Sequence, residues 1–464
     1  MLFNSIPFLL FIALFFVFKP LFWVKDNRRW FWILIMSCLF YGWWDWRFLF
    51  LLLGTGTIDY LCGKYILGNG RKKWFLWLSV VSNIASLVLF KYSLFIAGII
   101  EDALNLAGFH FSIQASIPEF TLVLPVGISF YTFNSLSYTI DLYRGKAKPA
   151  ESWLHFMAFI SFFPHLVAGP IIRARDILSQ LRKSNPVDSL SVWNGVKTCI
   201  WGYFQKMVLA DNLAVFVNLQ FDTPDVHSGT LNWWMCMLAF TFQIYFDFNG
   251  YSTIARGIAK ICGIHFKLNF NHPYRASGFS DFWKRWHISL SSFFRDYVYI
   301  SMGGNKGSKL KTEFNRMFTM LLSGLWHGAN WTFVLWGAAH GCMLSIENIL
   351  KRWFSNSVIK SLWPIFTFIV VVLTWVLFRA KSLNEAMLVY QAMLSWYPTS
   401  IRELILSNAF IFLVFSAIIE WVNWKKRFTA LSRFPFVEAL FYACLVAITI
   451  FFRGPEQQFI YFQF

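Results

Sequence analysis

The chain has 464 residues, of which 57% are hydrophobic, 21% aromatic and only 14% charged, and its formal net charge is +18. Length alone would favour about three soluble domains. Apolar runs of roughly 18 to 25 residues recur along most of the sequence, however, and each is long enough to cross the hydrocarbon core of a bilayer. The composition therefore excludes an ordinary soluble protein and predicts one integral membrane domain over residues 1–464.

The positive charge is concentrated in the loops between apolar runs, as expected for loops on the cytoplasmic side of a membrane. We therefore predict the lipid bilayer, and no nucleic acid, as the partner of this charge. The seven cysteines occur singly and form no CxxC pair, so they indicate neither a disulfide framework nor a zinc site.

The first half of the chain predicts membrane spans over residues 6–23, 30–44, 48–67, 74–100 and 120–142. Lys25, Arg28 and Arg29 follow the first span and predict a cytoplasmic loop, which places the N-terminus outside. Pro125 and Gly127 predict a break inside the fifth span. The next apolar run, from His155 to Asp176, is short and interrupted by Pro and Gly, and is predicted to be re-entrant or interfacial.

The second half predicts spans over residues 191–216, 230–248, 314–325, 331–350, 362–378, 404–422 and 436–452. Residues 256–311 are basic and aromatic, a pattern typical of amphipathic helices in the inner interface, and residues 382–394 predict a short amphipathic helix outside. The predicted fold is an all-α polytopic membrane protein with about eleven or twelve transmembrane helices plus re-entrant and interfacial helices.

His327 is the leading candidate for a catalytic residue. It follows the apolar run 314–325, which rises only about 18 Å, so we expect it near the middle of the membrane. Ionisable side chains at that depth are expensive and usually functional. A neutral imidazole is well matched to removing a proton from a hydroxyl near pH 7. We also predict that Gly324 and Gly328 give a substrate room to approach and that Trp326 and Asn330 contact it; a histidine held for packing is the alternative.

His287 is a second candidate, either as a structural hydrogen-bonding residue at the inner interface or as a second catalytic or orienting group. A zinc site is disfavoured because neither histidine belongs to an HxxxH or HExxH motif. Asp247 and Asn249 end an inward-running span, where they cap a helix or bind a ligand. For His165 and His340 a hydrogen-bonding role in the core is favoured.

Longer motifs around these residues resemble the membrane-bound O-acyltransferase family, most closely its bacterial polysaccharide-acetylating branch. They are LPVGISFYTFNSLSYTIDLYRG at 124–145, FFPHLVAGPI at 162–171, YFDFNGYSTIARGIAKICGI at 245–264, DFWKRWHISLSSFFRDYVYI at 281–300 and LWHGANWTFVLWGAAHG at 325–341. The ending FIYFQF resembles that branch as well. The motif core thus covers residues 124–341, and the resemblance implies the fold of this family.

The resemblance implies transfer of an acetyl group from acetyl-CoA, reached from the cytoplasm, to a hydroxyl of an extracytoplasmic polysaccharide or of a periplasmic partner that passes it on. His327 would be the essential histidine, His287 the second motif histidine, and Asp281 and Trp283 further substrate contacts. No permanently bound cofactor is expected. Basic residues expected at the inner face are candidates for binding the coenzyme A phosphates: Arg173, Arg175, Lys284, Arg285, Arg295 and Lys306.

The implied location is the inner membrane of a bacterial cell, with a separate periplasmic acetyltransferase or esterase-like protein as a partner. Two alternatives stay open. The first is transfer of D-alanine or another acyl group from a carrier-protein thioester, because the branch that does this shares the DFW, RWH and LWHG elements. The second belongs to a different class, a proton-coupled transporter whose buried histidines relay protons.

Overall fold

A computed structural model describes residues 1–68, 70–110, 112–167, 169–182, 187–225, 228–350, 357–424 and 433–462. Every regular element in these ranges is helical, and none of them contains a strand, which confirms the all-α prediction. The helices of the first half are α1 (Ile6–Phe22), α2 (Asp26–Asp45), α3 (Arg47–Ile66), α4 (Lys72–Leu87), α5 (Ser93–Leu106), α6 (Glu119–Leu122), α7 (Ile128–Tyr143), α8 (Trp153–Ser161), α9 (Phe163–Leu166), α10 (Ala174–Arg182) and α11 (Ser189–Tyr203).

The helices of the second half are α12 (Asp211–Asp222), α13 (Thr230–Ile261), α14 (Phe279–Arg285), α15 (Ile288–Phe294), α16 (Lys309–His327), α17 (Trp331–Leu350), α18 (Ser357–Arg379), α19 (Leu383–Leu394), α20 (Ile401–Leu406), α21 (Asn408–Trp424) and α22 (Pro435–Phe451). Short π-helical segments cover Val88–Tyr92, Phe204–Ala210 and Arg295–Tyr299. The chain divides into two compact units. The first holds Met1–Val196 and Ile254–Lys267, and the second holds Lys197–Thr253 and Leu268–Phe464.

Within the described ranges, three helices are long and apolar enough to cross a membrane by length and composition: Lys72–Leu106, Trp331–Leu350 and Val358–Arg379. Shorter apolar helices cover Ile6–Phe22, Asn408–Trp424 and Pro435–Phe451. Several apolar helices are therefore present where spans are predicted. The total of about eleven or twelve spans, and the side of the membrane that each loop faces, stay predictions.

The predicted break near Pro125 is confirmed in the first unit. Helix α6 ends at Leu122, and α7 begins only at Ile128, after Gly127 with a φ of +76°. A Cβ at Gly127 would lie 2.4 Å from the carbonyl oxygen of Leu166, so both the backbone conformation and the close approach require glycine here. Short helices α8 and α9 follow, and the re-entrant or interfacial location predicted for residues 155–176 stays a prediction.

The predicted end of the 230–248 span is wrong, because α13 continues to Ile261. Residues 254–261 keep an apolar stripe at helical spacing, and Ile254, Ala255, Ile258 and Ala259 are all buried. The basic and aromatic segment that follows is correspondingly shorter than predicted. It consists of the short helices α14 and α15 and one π-helical segment, separated by loops.

Helices α16 and α17, in the second unit, pack unusually closely. A Cβ at Gly324 would lie 2.2 Å from the carbonyl oxygen of Phe333, and one at Gly337 would lie 2.4 Å from that of Met320. These glycines allow the two backbones to meet. A Cβ at Gly328 would meet the Phe333 ring at 2.2 Å. Gly324 and Gly328 therefore make room for packing between helices, and their predicted role in the approach of a substrate stays a prediction.

Candidate active site

His327 is the last residue of α16, and only 2% of its surface is exposed. The close packing of α16 against α17 fixes the end of the helix, so the backbone at His327 is held by rigid neighbours. Such support is what a catalytic side chain needs to keep one orientation.

Aromatic rings surround the His327 imidazole. Their centroids lie within 5.5 Å of the imidazole centroid: Trp326 at 5.0 Å, Trp336 at 5.1 Å, Phe378 at 5.2 Å and Tyr461 at 5.5 Å. Trp336 and Phe378 are fully buried. Water is largely displaced from such a setting, and electrostatic interactions with a reacting group are stronger there than in bulk water.

His287 lies in the same unit, and its ring centroid is 6.5 Å from that of His327. It is fully buried, and it joins α14 to α15 with a φ of +40°. Positive φ is uncommon for a residue with a side chain and is concentrated at functional sites. Among the described residues other than glycine, His272 is the only other one with a positive φ. The strained turn places His287 beside His327 although 40 residues separate them in sequence.

Asn269 orients His287. Its side-chain oxygen Oδ1 accepts hydrogen bonds from His287 Nδ1 at 3.2 Å and from the Ser289 hydroxyl at 2.8 Å, while its Nδ2 donates to Ser252 Oγ at 3.3 Å. This network assigns the His287 proton to Nδ1 and leaves a lone pair on Nε2. In the part of the chain that the structure describes, His287 Nε2 is buried and has no hydrogen-bond partner. An acceptor is thus available beside His327.

The predicted substrate contacts fall into two groups. Trp326 is buried, with its ring 6.0 Å from His287, and Trp283 packs on Trp336 at 5.6 Å, so both belong to the aromatic surroundings of the histidines. Asn330, in contrast, immediately precedes α17. Its Oδ1 accepts from the Thr332 N–H at 3.0 Å and its Nδ2 donates to the Lys381 carbonyl at 3.0 Å. These bonds engage the amide of Asn330 in starting the helix.

The predicted acidic and amide residues make bonds within the protein. Asp281 pairs with Arg285 at 2.9 Å along α14. Burial raises the pKa of the Asp281 carboxyl, but hydrogen bonds from the Ser277 N–H and from Arg285 outweigh it and leave this pKa below its ordinary value. Asp247 and Asn249 lie inside α13, so the prediction that they cap a helix is wrong. Asp247 is buried and bonds Lys206 at 2.7 Å, and Asn249 donates to Gln205 at 3.2 Å.

The basic residues differ in how accessible they are. Lys284, Arg295 and Lys306, in the second unit, are exposed, although Arg295 also pairs with Asp296 at 2.7 Å. In the first unit, Arg173 is buried and Arg175 lies 3.5 Å from Asp141. The exposed residues of the second unit are therefore the best placed for an anionic ligand.

The other two histidines discussed above lie in the core. His340 shares a hydrogen bond of 3.2 Å with Thr374, which joins α17 to α18 and confirms its predicted role between helices. His165, in the first unit, lies among the rings of Phe159, Phe162 and Phe266.

Two residues of the site, Asn269 and Tyr461, were not predicted from the sequence. Asn269 stands in a loop and carries no charge, so no local pattern marks it. Tyr461 belongs to the FIYFQF ending, whose resemblance to the acetylating branch was the available signal; the last two residues of that ending lie outside the described ranges. The Tyr461 ring is 6.3 Å from His287 as well as 5.5 Å from His327.

Known proteins share much of this sequence. A family model described as the membrane-bound O-acyltransferase family matches residues 150–390. The chain is 40% identical over 416 residues to the probable alginate O-acetylase AlgI of Pseudomonas aeruginosa, which covers 88% of this chain and 78% of that protein.

More distant relatives are named for related activities. The peptidoglycan O-acetyltransferase of Helicobacter pylori is 33% identical over 405 residues, covering 80% of this chain and 75% of that protein. The teichoic acid D-alanyltransferase of Bacillus subtilis is 29% identical over 251 residues, covering 52% of this chain and 63% of that protein. The relatives named for acetyl transfer thus match more of this chain at higher identity.

Proposed function

The chain belongs to the membrane-bound O-acyltransferase family, and from this premise we propose that it transfers an acetyl group from acetyl-CoA to a hydroxyl of an extracytoplasmic polysaccharide or of a periplasmic partner that passes the acetyl group on. Membership makes the chain a polytopic membrane protein and an acyltransferase, which removes the transporter alternative. The donor, the acceptor and the roles of individual residues are the content of the proposal.

The observation that carries the proposal is the pair of buried imidazoles, 6.5 Å apart between centroids and enclosed by aromatic rings. A thioester is already activated toward attack, whereas a sugar hydroxyl is a poor nucleophile until its proton is removed. The reaction therefore needs one well-placed base, and a buried neutral imidazole supplies it.

His327 is proposed as that base. As the hydroxyl oxygen attacks the acetyl carbonyl carbon, the hydroxyl proton moves to the imidazole and a tetrahedral oxyanion forms. Collapse of this intermediate breaks the carbon–sulfur bond. The proton then passes from the imidazole to the departing sulfur, so that the products are an acetyl ester and free coenzyme A, and His327 returns to its neutral form.

His287 is proposed to orient the donor. Because Asn269 holds its proton on Nδ1, its Nε2 can only accept a hydrogen bond. Amide N–H groups of the pantetheine arm of coenzyme A are donors of the matching kind. The exposed Lys284, Arg295 and Lys306 are proposed to attract the phosphates of the same donor.

The relatives support acetyl over D-alanyl transfer. Those named for alginate and peptidoglycan acetylation reach 40% and 33% identity over most of this chain, whereas the D-alanyltransferase reaches 29% over about half of it. We propose the bacterial inner membrane as the location, and a periplasmic acetyltransferase or esterase-like protein as a partner that passes the acetyl group on.

An untargeted comparison of O-acetyl groups tests the proposal. Cell-wall and secreted glycans of cells with and without the protein are compared, and the deletion is complemented with wild type or with His327→Ala. We expect one glycan class to lose acetyl esters in the deletion and to regain them with wild type alone. Unchanged acetyl content in every glycan, or full complementation by His327→Ala, would refute the proposal.

A further inference from the structure

A buried ionic cluster in the second unit holds residues 453–461, called here the tail segment. Lys206 Nζ lies 2.6 Å from Asp211 Oδ1 and 2.7 Å from Asp247 Oδ1, and the three side chains are at most 3% exposed. Lys206 stands in the π-helical segment Phe204–Ala210, immediately before α12 begins at Asp211. Burial of one ammonium and two carboxylates costs free energy, because each charged group loses its hydration.

Two members of the cluster bind the backbone of the tail segment. Asp247 Oδ2 accepts a hydrogen bond from the Ile460 N–H at 2.8 Å, and Lys206 Nζ donates one to the Gln457 carbonyl at 3.3 Å. Among the described residues, Asp211 makes no hydrogen bond to this segment and pairs with Lys206. Further bonds run from Asn218 to the Gln457 side chain at 3.0 Å and from the Gly454 N–H to the Met207 carbonyl at 2.8 Å. Hydrogen bonds thus hold the tail segment at Gly454, Gln457 and Ile460.

The tail segment places two aromatic rings at the candidate active site. Phe459 and Ile460 are buried, and Phe459 packs on Tyr251 at 4.5 Å and on Phe248 at 5.5 Å. Phe248 itself lies 4.6 Å from His287. Tyr461 follows directly, with its ring 4.5 Å from Phe248 and 5.5 Å from His327. Tyr461 is therefore the next residue after Ile460, whose N–H bonds Asp247, and its ring lies 5.5 Å from His327 and 6.3 Å from His287.

We propose that Asp247 and Lys206 are positioning residues that hold the tail segment, and with it the Tyr461 ring, against His327 and His287. The inference rests on the proposed role of these histidines. With the segment loosened, one side of the ring of aromatic groups opens, water reaches the imidazoles, and their orientation is no longer fixed. Displacements of about 1 Å at a catalytic group can cost roughly a hundredfold in rate.

A matched pair of variants isolates this role. Asp247→Ala and Asp211→Ala each remove one carboxylate from the cluster and each leave Lys206 with one carboxylate partner, but only the first removes a bond to the tail segment. Asp247→Asn, which keeps the shape and weakens the charge-assisted bond, serves if Asp247→Ala does not fold. Hydrogen exchange of the peptide that contains Ile460 reports the anchorage, and acetyl transfer in liposomes reports its consequence.

We expect faster exchange of that peptide in the Asp247 variants, with kcat lowered about tenfold to a hundredfold and the KM for acetyl-CoA within about threefold of wild type. Asp211→Ala should keep the wild-type exchange and lose no more than about threefold in kcat. Equal effects of the two alanine variants, unchanged exchange in the Asp247 variants, or faster exchange without loss of kcat would overturn the inference. If wild type itself transfers no acetyl group, the proposed function fails, while the exchange data still decide whether Asp247 anchors the segment.

Discussion

Replacing Asn269 with alanine removes the acceptor that orients His287. The side-chain oxygen of Asn269 serves the His287 ring at 3.2 Å, the Ser289 N–H at 3.2 Å and the Ser289 hydroxyl at 2.8 Å. Ser289 is only half-buried and can turn its hydroxyl elsewhere, whereas His287 is fully buried and cannot. The backbone of Asn269 still accepts from the Ile288 N–H at 2.8 Å in the variant, so the local chain path is preserved.

The expected loss follows from one buried donor left with only a weak partner, because the Ser289 hydroxyl lies 3.4 Å from His287 Nδ1. Such a group costs about 1 to 3 kcal/mol. If the cost falls on the transition state, kcat drops between about 5-fold and 150-fold, because about 1.4 kcal/mol corresponds to a factor of ten. The His287 imidazole can also carry its proton on Nε2 once Asn269 no longer holds it on Nδ1. Its Nε2 then cannot accept a hydrogen bond from acetyl-CoA.

Steady-state acetyl transfer in liposomes measures the effect, with two variants for comparison. Ser252→Ala removes only the weak partner of Asn269 Nδ2 at 3.3 Å, and we expect it to stay within about threefold of wild type. Asn269→Asp keeps an acceptor for His287, and its kcat should exceed that of Asn269→Ala by about tenfold. Wild-type kcat in Asn269→Ala, or no recovery in Asn269→Asp, would refute the orienting role.

Three further predictions concern packing, donor binding and topology. Gly324→Ala, whose Cβ would lie 2.2 Å from the Phe333 carbonyl oxygen, should lower the melting temperature and the transfer rate, whereas Gly54→Ala, with no atom within 4 Å, should lower neither; equal melting curves would contradict this. Replacing Lys284, Arg295 and Lys306 together with glutamine should raise the KM for acetyl-CoA more than it lowers kcat, and the difference should shrink at high salt; an unchanged KM would remove these residues from the donor site. In a cysteine-free background, a cysteine at Lys72 should react with a maleimide only from the cytoplasm, and labelling from outside in intact cells would overturn the predicted topology.

Much of the fold could be predicted because it follows from local patterns. The break at Gly127 and the short helix at 383–394, whose first turn is capped by Ser382, both carry their signals within a few residues. The pairing of Asp281 with Arg285 could also have been predicted, since residues four apart on a helix face each other. The end of α13 was missed because its last turns include Arg256 and Lys260, which suggested a membrane interface although the opposite face is buried.

The partners within the site could not be predicted. Asn269 meets His287, and Asp247 meets Ile460, across long stretches of sequence, so their bonds exist only in the folded chain. The sequence marked His327 and His287 as chemically unusual residues in apolar surroundings, yet the distance between them depends on the turn with positive φ at His287 and on the packing of α16 against α17. Tertiary structure thus supplies what turns two unusual residues into one site.

The central claim is that His327 is the base of an acetyl transfer, and the most direct test is transfer of labelled acetyl from acetyl-CoA by purified protein in liposomes. Wild type and His327→Ala are compared after equal insertion is verified by circular dichroism and thermal unfolding. We expect the variant to lose about 10² to 10⁴-fold in transfer while keeping its fold. Near-wild-type transfer by folded His327→Ala would contradict the claim.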